Sequence, residues 1–439
     1  MGNLKVHDKL DIQAGGQVEV LDEFGSGGQG TVYKVSYNGK TYALKWYHPG
    51  VFKGKENDFY KNLENNISNG APTDAFLWPK AITKVYNDQF GYLMDVRPSG
   101  YEELTNFFVG GRKQKQARFK SFYALCTAAI NIIEAFRALH NNGYSYQDIN
   151  NGNFFINPEN GDVLICDNDV SPFGTNLGIM GKQRWMAPEI VMGKNDPDKN
   201  SDRFSLAVVL FRLLFINHPL EGRYSTPPCM TKELEQKYYG SAPIFVYDPT
   251  TSENRPIPGT DHNLKLFWNV YPDYVKDAFI RAFSHDVMMK QKPRILEKEW
   301  MDIFIRLRTE IGRCPYCGQE TFYTFKGSHD IPCMECGKKI PITNALQIKN
   351  QILPIFPGLK ISLWTVDSSL EDIRTQVAEV VKNPKDPRLL GLRNLSQRTW
   401  SVNLPDGSQR PLPPQQVVPV RAGFEIHFLG GTNDSGIIK

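Results

Sequence analysis

Three groups of residues in the sequence have the types and spacing to do chemistry. The first is Tyr42-Ala43-Leu44-Lys45, a lysine in an apolar run, preceded by Gly25-Ser26-Gly27-Gly28-Gln29-Gly30-Thr31-Val32. Residues without side chains let backbone N–H groups come close to phosphate oxygens. A strand lysine flanked by apolar residues can then set its ammonium beneath such a loop. Taken alone, the glycine run also fits an ordinary hairpin turn, and Lys45 an exposed edge.

The second group is Tyr146-Gln147-Asp148-Ile149-Asn150-Asn151-Gly152-Asn153, followed by an apolar strand, Val163-Leu164-Ile165-Cys166, that delivers Asp167. A carboxylate at Asp148 can accept a hydroxyl proton, while an amide at Asn153 and a carboxylate at Asp167 can hold Mg²⁺ on nucleotide phosphates. Each residue alone would pass as loop decoration; their order sets them apart. The third group is Cys314-Pro315-Tyr316-Cys317-Gly318 and Cys333-Met334-Glu335-Cys336-Gly337, two CxxCG turns with fifteen residues between Cys317 and Cys333. That spacing suits a four-thiolate Zn²⁺ site, with an iron–sulfur cluster or redox disulfides as the alternatives. With all four ligands from protein, such a site serves structure or partner contact and leaves no position for catalysis.

These groups need elements to carry them. Short alternating runs at Gln17 to Phe24, Thr31 to Tyr37, Thr41 to Tyr47, Ala81 to Tyr86 and Gly91 to Val96 read as strands. Between them Lys55 to Asn69 is polar with Phe59, Leu63 and Ile67 four apart, one apolar helix face. Glu64 on that helix can anchor Lys45 as an ion pair, with Glu56 as competitor. From Phe119 the period is helical, and helices run to about Arg308. The cysteine segment occupies Gly312 to Ile340, with Thr321 to Phe325 as a hairpin strand. The remainder turns to short strands broken by loops such as Pro405-Asp406-Gly407.

The order of these motifs resembles a eukaryotic-type protein kinase over residues 16 to 308. The resemblance implies a bilobal α+β kinase fold, with residues 16–96 as the small lobe and 97–308 as the large one. It makes Gly25, Gly27, Gly28, Gly30, Val32, Lys45, Glu64, Asp95 and Val96 the nucleotide-binding residues. Asp148, Lys45, Asn153 and Asp167 become the catalytic set, with Asn153 and Asp167 on Mg²⁺. Ala187-Pro188-Glu189 matches the end of the activation segment, with Lys292 or Arg294 to pair with Glu189, and Asp202 matches the aspartate that braces the catalytic loop.

The departures also carry meaning. Gln147 stands where an arginine would receive a phosphate on the activation segment, so activation by phosphorylation there is not expected. Asp167-Asn168-Asp169 replaces Asp-Phe-Gly, which disfavours a flipped inactive state, and Asn150 stands where serine/threonine kinases carry a lysine. Serine/threonine specificity is the default. Asp167-Asn168-Asp169, the run Arg203 to Phe211 and His218-Pro219-Leu220-Glu221-Gly222 are together similar to bacterial kinases of tellurite-resistance-associated systems. That likeness implies a von Willebrand factor A-type protein as partner and a metal-dependent protein phosphatase as antagonist. Residues 309–344 read as a zinc ribbon. Residues 345–439 resemble a forkhead-associated β-sandwich through Gly391-Leu392-Arg393-Asn394-Leu395-Ser396, Trp400, Pro405-Asp406-Gly407 and Phe424 to Phe428, without the Gly-Arg and Ser-x-x-His residues that hold phosphothreonine.

Composition bounds the rest. The 439 residues suggest about three domains. Fifty-one Lys and Arg against 47 Asp and Glu give a net charge of +4, without the basic excess of a nucleic-acid binder. An apolar share of 41% and a charged share of 22% are those of a globular chain. The longest nearly apolar stretch noted, Phe204 to Ile216, holds Arg212 and is too short to span a bilayer. With no secretory pattern at the start, a cytoplasmic, membrane-free protein kinase acting with ATP, Mg²⁺ and Zn²⁺ is expected. The rival reading is a pseudokinase scaffold that binds nucleotide and assembles partners.

Overall fold

The computed structural model describes residues 4–109, 116–167, 170–178, 181–325, 330–430 and 434–439. The chain forms two compact units. The first takes residues 1–120, 131–265 and 278–298; the second takes 121–130, 266–277 and 299–439.

The first unit opens with an antiparallel sheet: β1 (Lys9–Asp11), β2 (Gln17–Ser26), β3 (Gly30–Tyr37), β4 (Lys40–Tyr47), then β5 (Ala81–Ile82) and β6 (Gly91–Met94), in the order β1-β2-β3-β4-β6-β5. The helix α1 (Glu56–Asn69) lies between β4 and β5 in the chain. The period of two along β4 sorts its side chains by face. Leu44 and Trp46 join Val18, Val20, Tyr33, Val35 and Leu93 on one side, where Leu4, Leu10 and Ile12 also pack. Ala43 and Tyr47 join Phe59 and Leu63 of α1, Phe90, Tyr92 and Met94 on the other. Lys45 is on this second face, toward α1. The strand is gripped closely from both neighbours: a Cβ on Gly30 would stand 2.4 Å from the Trp46 carbonyl oxygen, and one on Gly91 2.4 Å from that of Lys45. Residues 4–12, including β1, extend this core beyond the start at residue 16 that the motifs suggested.

The helical part of this unit follows. β7 (Glu102–Glu103) and α2 (Thr105–Phe108) lead to α3 (Phe122–Asn141), whose second half belongs here. Next come β8 (Tyr144–Ser145), β9 (Phe154–Ile156), β10 (Val163–Ile165), β11 (Ser171–Pro172), α4 (Pro188–Val191), α5 (Lys199–Phe215), α6 (Lys232–Gln236) and a π-turn at Lys237–Ser241. Helix α3 is long and apolar enough by length and composition to cross a membrane, and 61% of its most apolar window is buried inside the protein, as in a core helix. Helix α5 begins with a capping box, Asp198 accepting from the Ser201 N–H while the Ser201 hydroxyl accepts from that of Asp198. It is buried on nearly every side, as its unbroken apolar run requires.

The second unit combines the segments 121–130 and 266–277 with everything after Lys298. Helices α7 (His262–Val270), α8 (Asp273–Ala282) and α10 (Glu297–Thr309) contribute to it, with α9 (His285–Met288) in the first unit. The cysteine segment forms two hairpins, β12 (Ile311–Arg313) with β13 (Glu320–Phe322), and β14 (Asp330–Pro332) with β15 (Lys339–Pro341). The tail is two sheets. In one, β16 (Ala345–Ile348), β17 (Gln351–Pro354), β21 (Trp400–Asn403), β22 (Gln409–Leu412), β24 (Glu425–His427) and β25 (Ser435–Ile438) run β17-β16-β25-β24-β21-β22. In the other, β18 (Lys360–Ser362), β19 (Gln376–Lys382), β20 (Leu390–Asn394) and β23 (Val417–Pro419) run in chain order. The short helix α11 (Leu363–Val366) follows β18.

The cysteine segment is packed through more than its four cysteines. Cys314, Tyr323, Ile331, Cys333 and Ile340 belong to the same apolar cluster as Leu346, Phe356, Val380, Trp400 and Ile426 of the tail. Tyr323 stacks on Phe356 with centroids 4.0 Å apart. Phe322 packs against Phe122 and Tyr271, and Glu320 accepts the Phe122 N–H at 2.6 Å.

In the first unit a buried charge network joins α3, α5 and α10. His140 meets Asp202 at 3.2 Å and Glu297 at 2.8 Å, and Glu297 also takes Arg203. Burial alone would depress the imidazole, but its hydrogen bonds to Asp202 and Glu297 hold it at about 9. Since this folded value lies above the ordinary 6.5, the stabilisation is complete below pH 6.5 and is lost as pH rises through about 9. Unfolding free energies measured between pH 6 and 10 are therefore expected to fall by about 3 kcal/mol in the wild type, and much less in His140→Gln. Equal slopes for the two proteins would refute the assignment.

Candidate active site

The β2–β3 hairpin carries the glycine loop. The Gly27 N–H donates to the Gly30 carbonyl at 2.9 Å, and the His48 ring contacts the Gly27 carbonyl at 3.0 Å. Cβ atoms at Gly25 and Gly28 would meet nothing within 4 Å, so the loop is open at these two positions, while Gly30 is closed against β4. Val32, Ala43, Leu77, Met94, Val96 and Leu164 belong to one apolar cluster, side chains of the kind a flat base packs against. The Asp95 carboxylate is turned to Lys80 at 2.6 Å, leaving its main chain for a ligand.

Lys45 is 3% exposed and points its ammonium at Asp167 Oδ1, 3.2 Å away, and at Gln29 Oε1, 3.1 Å away. Asp167 holds a left-handed backbone, φ +54°, and Gln147 another, φ +68°. Both are costly for non-glycine residues and stand where side chains must be aimed rather than relaxed. Asp148 accepts from Asn150 Nδ2 at 3.0 Å and its carboxylate lies 3.4 Å from Asn153 Nδ2, which also caps the Asp148 carbonyl at 2.9 Å. Burial first, then the Asp167 charge, push the Asp148 carboxyl up to about 6. The Asp148 and Asp167 carboxylates, with the amide oxygen of Asn153 beside them, form a donor set suited to a divalent cation. The structure thus gathers Lys45, Asp148, Asn153 and Asp167, as their order in the sequence led one to expect. Asn168 and Asp169 lie outside the described residues.

Glu64 is placed differently from expectation. Among the described residues neither it nor Glu56 makes an ion pair with Lys45; Glu56 accepts the Gly54 N–H instead. The buried positions of α1 are Phe59, Asn62, Leu63 and Asn66, so the helical period turns Glu64 about 100° off that face. Two amides do the linking: Asn62 Nδ2 and Asn66 Nδ2 both donate to the Val170 carbonyl, at 2.8 and 3.0 Å. The Asn66 carbonyl also accepts from the Trp78 indole at 2.7 Å. Asn62 and Asn66 were legible only as polar residues four apart, interrupting an otherwise apolar helix face.

The activation segment is held by an amide and a lysine rather than by an arginine. Gln147 Nε2 donates to the Thr175 carbonyl and the Ser145 hydroxyl, both at 2.9 Å, and Lys55 donates to the Asn176 carbonyl at 3.0 Å. Ser171 is fully buried, which removes it as a modification site in the folded chain, whereas Thr175 is exposed. Of the two partners considered for Glu189, Arg294 takes it bidentately at 2.9 and 2.7 Å, while Lys292 pairs with Asp286.

In the second unit the four sulfurs of Cys314, Cys317, Cys333 and Cys336 lie within 4.8 Å of one another. Cys314 and Cys336 are 3.8 Å apart, Cys317 and Cys333 3.7 Å. Four sulfurs bonded at about 2.3 Å around a tetrahedral ion stand about 3.8 Å apart, so the cage has the size of a thiolate site. Gly318 and Gly337, at φ +74° and +68°, close the two knuckles in a conformation that costs a side-chain-bearing residue more. Burial would raise the Cys314 thiol, but backbone N–H groups of Cys317 and Tyr316 directed at its sulfur bring it down to about 7, toward the thiolate a metal needs.

Residues 18–239, just over half of the chain, match the protein kinase domain family, and the chain belongs to it. Membership implies ATP and Mg²⁺ as ligands. A probable serine/threonine-protein kinase of Dictyostelium discoideum is 29% identical over 245 residues, 53% of this chain and 23% of its own length. The stress-activated protein kinase alpha of the same organism is 26% identical over 52% of this chain and 35% of its own length. The chain thus spans about a quarter to a third of these relatives. Among solved structures, the kinase domain of Mycobacterium tuberculosis PknI is similar at 19% identity, with a TM-score of 0.37, over 52% of this chain and 82% of that one.

If the two amides rather than Glu64 hold α1 to the start of the activation segment, Asn66→Leu should lower phosphoryl transfer at least tenfold through kcat. Glu64→Gln should change it less than threefold. Steady-state kinetics on the two variants check this, and the reverse ranking would restore Glu64.

Proposed function

We propose that the chain is an ATP-dependent serine/threonine protein kinase, with its ribbon and β-sandwich serving to recruit the protein substrate. The observation that carries this reading is the Lys45 to Asp167 contact at 3.2 Å beside Asp148 and Asn153 hydrogen-bonded to one another. Nucleotide and Mg²⁺ supply the phosphoryl group and the charge that neutralises it. Lys45 and the N–H groups of Gly25 to Gly30 bind phosphate oxygens, and Asn153 and Asp167 hold the metal. Val32, Val96 and the main chain of Asp95 enclose the base. Asp148 orients the acceptor hydroxyl and takes its proton, with Asn150 fixing the carboxylate.

The four cysteines are proposed to bind one Zn²⁺, which staples the ribbon onto the sandwich rather than acting in catalysis. Likeness to tellurite-resistance-associated kinases makes a von Willebrand factor A-type protein the first substrate to try, with a metal-dependent phosphatase to reverse the reaction.

Asp148→Ala should keep ATP affinity and lose about 10²- to 10⁴-fold in transfer to a partner protein, measured with labelled ATP and Mg²⁺. Equal phosphorylation by wild type and variant would promote the scaffold reading. Metal analysis should find one zinc per chain, where iron or no metal would refute the assignment. Cys333→Ser should lose it and lower the melting temperature of the sandwich, because ribbon and sandwich share one apolar cluster.

A further inference from the structure

Beyond its charged first turns, helix α5 is apolar from Phe204 on except for Ser205 and one charge in its last turn, Arg212. The guanidinium lies 4.2 Å from the ring centroid of Phe108 and 4.9 Å from that of Trp185. It makes no hydrogen bond or ion pair among the described residues, and its Nε is buried without a partner. Burial lowers it from the usual arginine value to about 10. The carboxylates facing this region are already engaged. Glu221 accepts from Arg184 at 3.3 Å and from the Tyr239 hydroxyl at 3.1 Å, and Glu235 accepts from Arg184 at 3.5 Å.

A half-buried cation with no hydrogen-bonding partner among the described residues is costly, and the two ring faces and the carbonyl end of α5 offset only part of that cost. A filler between two rings would serve as well with an apolar chain. A guanidinium is distinguished by its planar fork of donors, which matches carboxylate and phosphate. Arg212 and Phe108 are partly exposed while Trp185 is 3% exposed, so the group is open from one side over an aromatic floor.

The site's place in the fold links it to the chemistry. Asn151, three residues after Asp148, donates to the Thr105 hydroxyl at 2.7 Å at the start of α2, the short helix that ends in Phe108. The same Asn151 accepts from Lys182 at 2.9 Å, in the segment that leads to Trp185, and Ser205 of α5 fixes the Trp185 carbonyl at 2.6 Å. Both aromatic walls around Arg212 therefore hang from the loop that carries Asp148.

We propose that Arg212, between Phe108 and Trp185, is a subsite that selects an anionic side chain, carboxylate or phosphorylated, close to the acceptor hydroxyl of the protein substrate. This rests on the kinase reading for its catalytic consequence but not for binding. The test uses the full chain and serine/threonine peptides that carry one Glu, phosphoserine, Gln or Lys at each position around the acceptor. At one position Glu or phosphoserine should raise kcat/KM about tenfold over Gln, the size expected of one charged hydrogen-bonded pair. The ratio of the two anionic peptides tells carboxylate from phosphate. Arg212→Gln should erase the preference and Arg212→Glu should turn it toward Lys; if either fails to fold, Arg212→Met keeps the volume between the rings. Peptide titration of Asp148→Ala should show the same tenfold difference in Kd. An affinity preference with no transfer by the wild type would leave the subsite standing and remove the kinase reading. Equal affinity for Glu, phosphoserine and Gln peptides, or a preference that survives in Arg212→Gln, overturns the subsite.

Discussion

The buried Asp202 carboxylate organises the site more than any other single group. One oxygen accepts the Gln147 N–H at 2.9 Å; the other accepts the Tyr146 N–H at 2.7 Å and faces His140. Gln147 can hold its left-handed backbone because its own N–H and that of Tyr146 are taken in this way. The loop then presents Asp148 in a fixed direction. Asp202 in turn is set by α5, whose capping box and all-round burial leave the helix little freedom to move. The catalytic loop is therefore referenced to the most deeply buried helix of the unit, with charge-assisted bonds inside a low dielectric supplying the rigidity.

On the other side of the cleft the reference is the sheet. Glycines at 30 and 91 let β4 be approached from both neighbours, and the strand period directs Lys45 toward α1 and Asp167. The link between α1 and the segment after Asp167 is made by amides and a carbonyl rather than by ions. The same substitution of neutral for charged partners recurs at Gln147, where an amide holds the Thr175 carbonyl. A neutral hydrogen bond is weaker than an ion pair but needs no counter-charge, so these contacts form without added phosphate. The activation segment is held in this chain by bonds already present.

The second unit solves a different problem. A ribbon of about thirty residues is too small to build its own core. Here it draws on the sandwich through Tyr323 on Phe356, and on helical segments through Phe322 and Glu320. Glu310, 1% exposed at the end of α10, accepts from Arg306, Tyr274 and Thr324, which ties that helix, α8 and the ribbon at one point. The boundary drawn near residue 308 from sequence thus runs through a packed region rather than along a linker.

The candidate site was legible in the sequence only through order: Gly25 to Gly30, Lys45, Asp148, Asn153 and Asp167 would each pass alone as turn or loop, but phosphoryl transfer demands these residue types in this sequence. The elements that carry them were legible for a similar reason, since periods of two and 3.6 are local properties of a chain that must bury one face. The two CxxCG turns announced their cage by spacing alone. What the tertiary structure decided is everything that depends on a partner distant in sequence. Glu64 had the right type and helix but the wrong phase, and only packing against β4 shows that Asn62 and Asn66 face inward. Arg212 read as a lone charge interrupting an apolar run; its stacking, and the lack of a partner for its Nε among the described residues, appear only when Phe108 and Trp185 are brought around it. Periodicity tells which residues must be buried, but which buried polar groups meet is set by the angle and register of elements that can lie more than a hundred residues apart, as His140 and Glu297 do, and a single chain does not encode those locally.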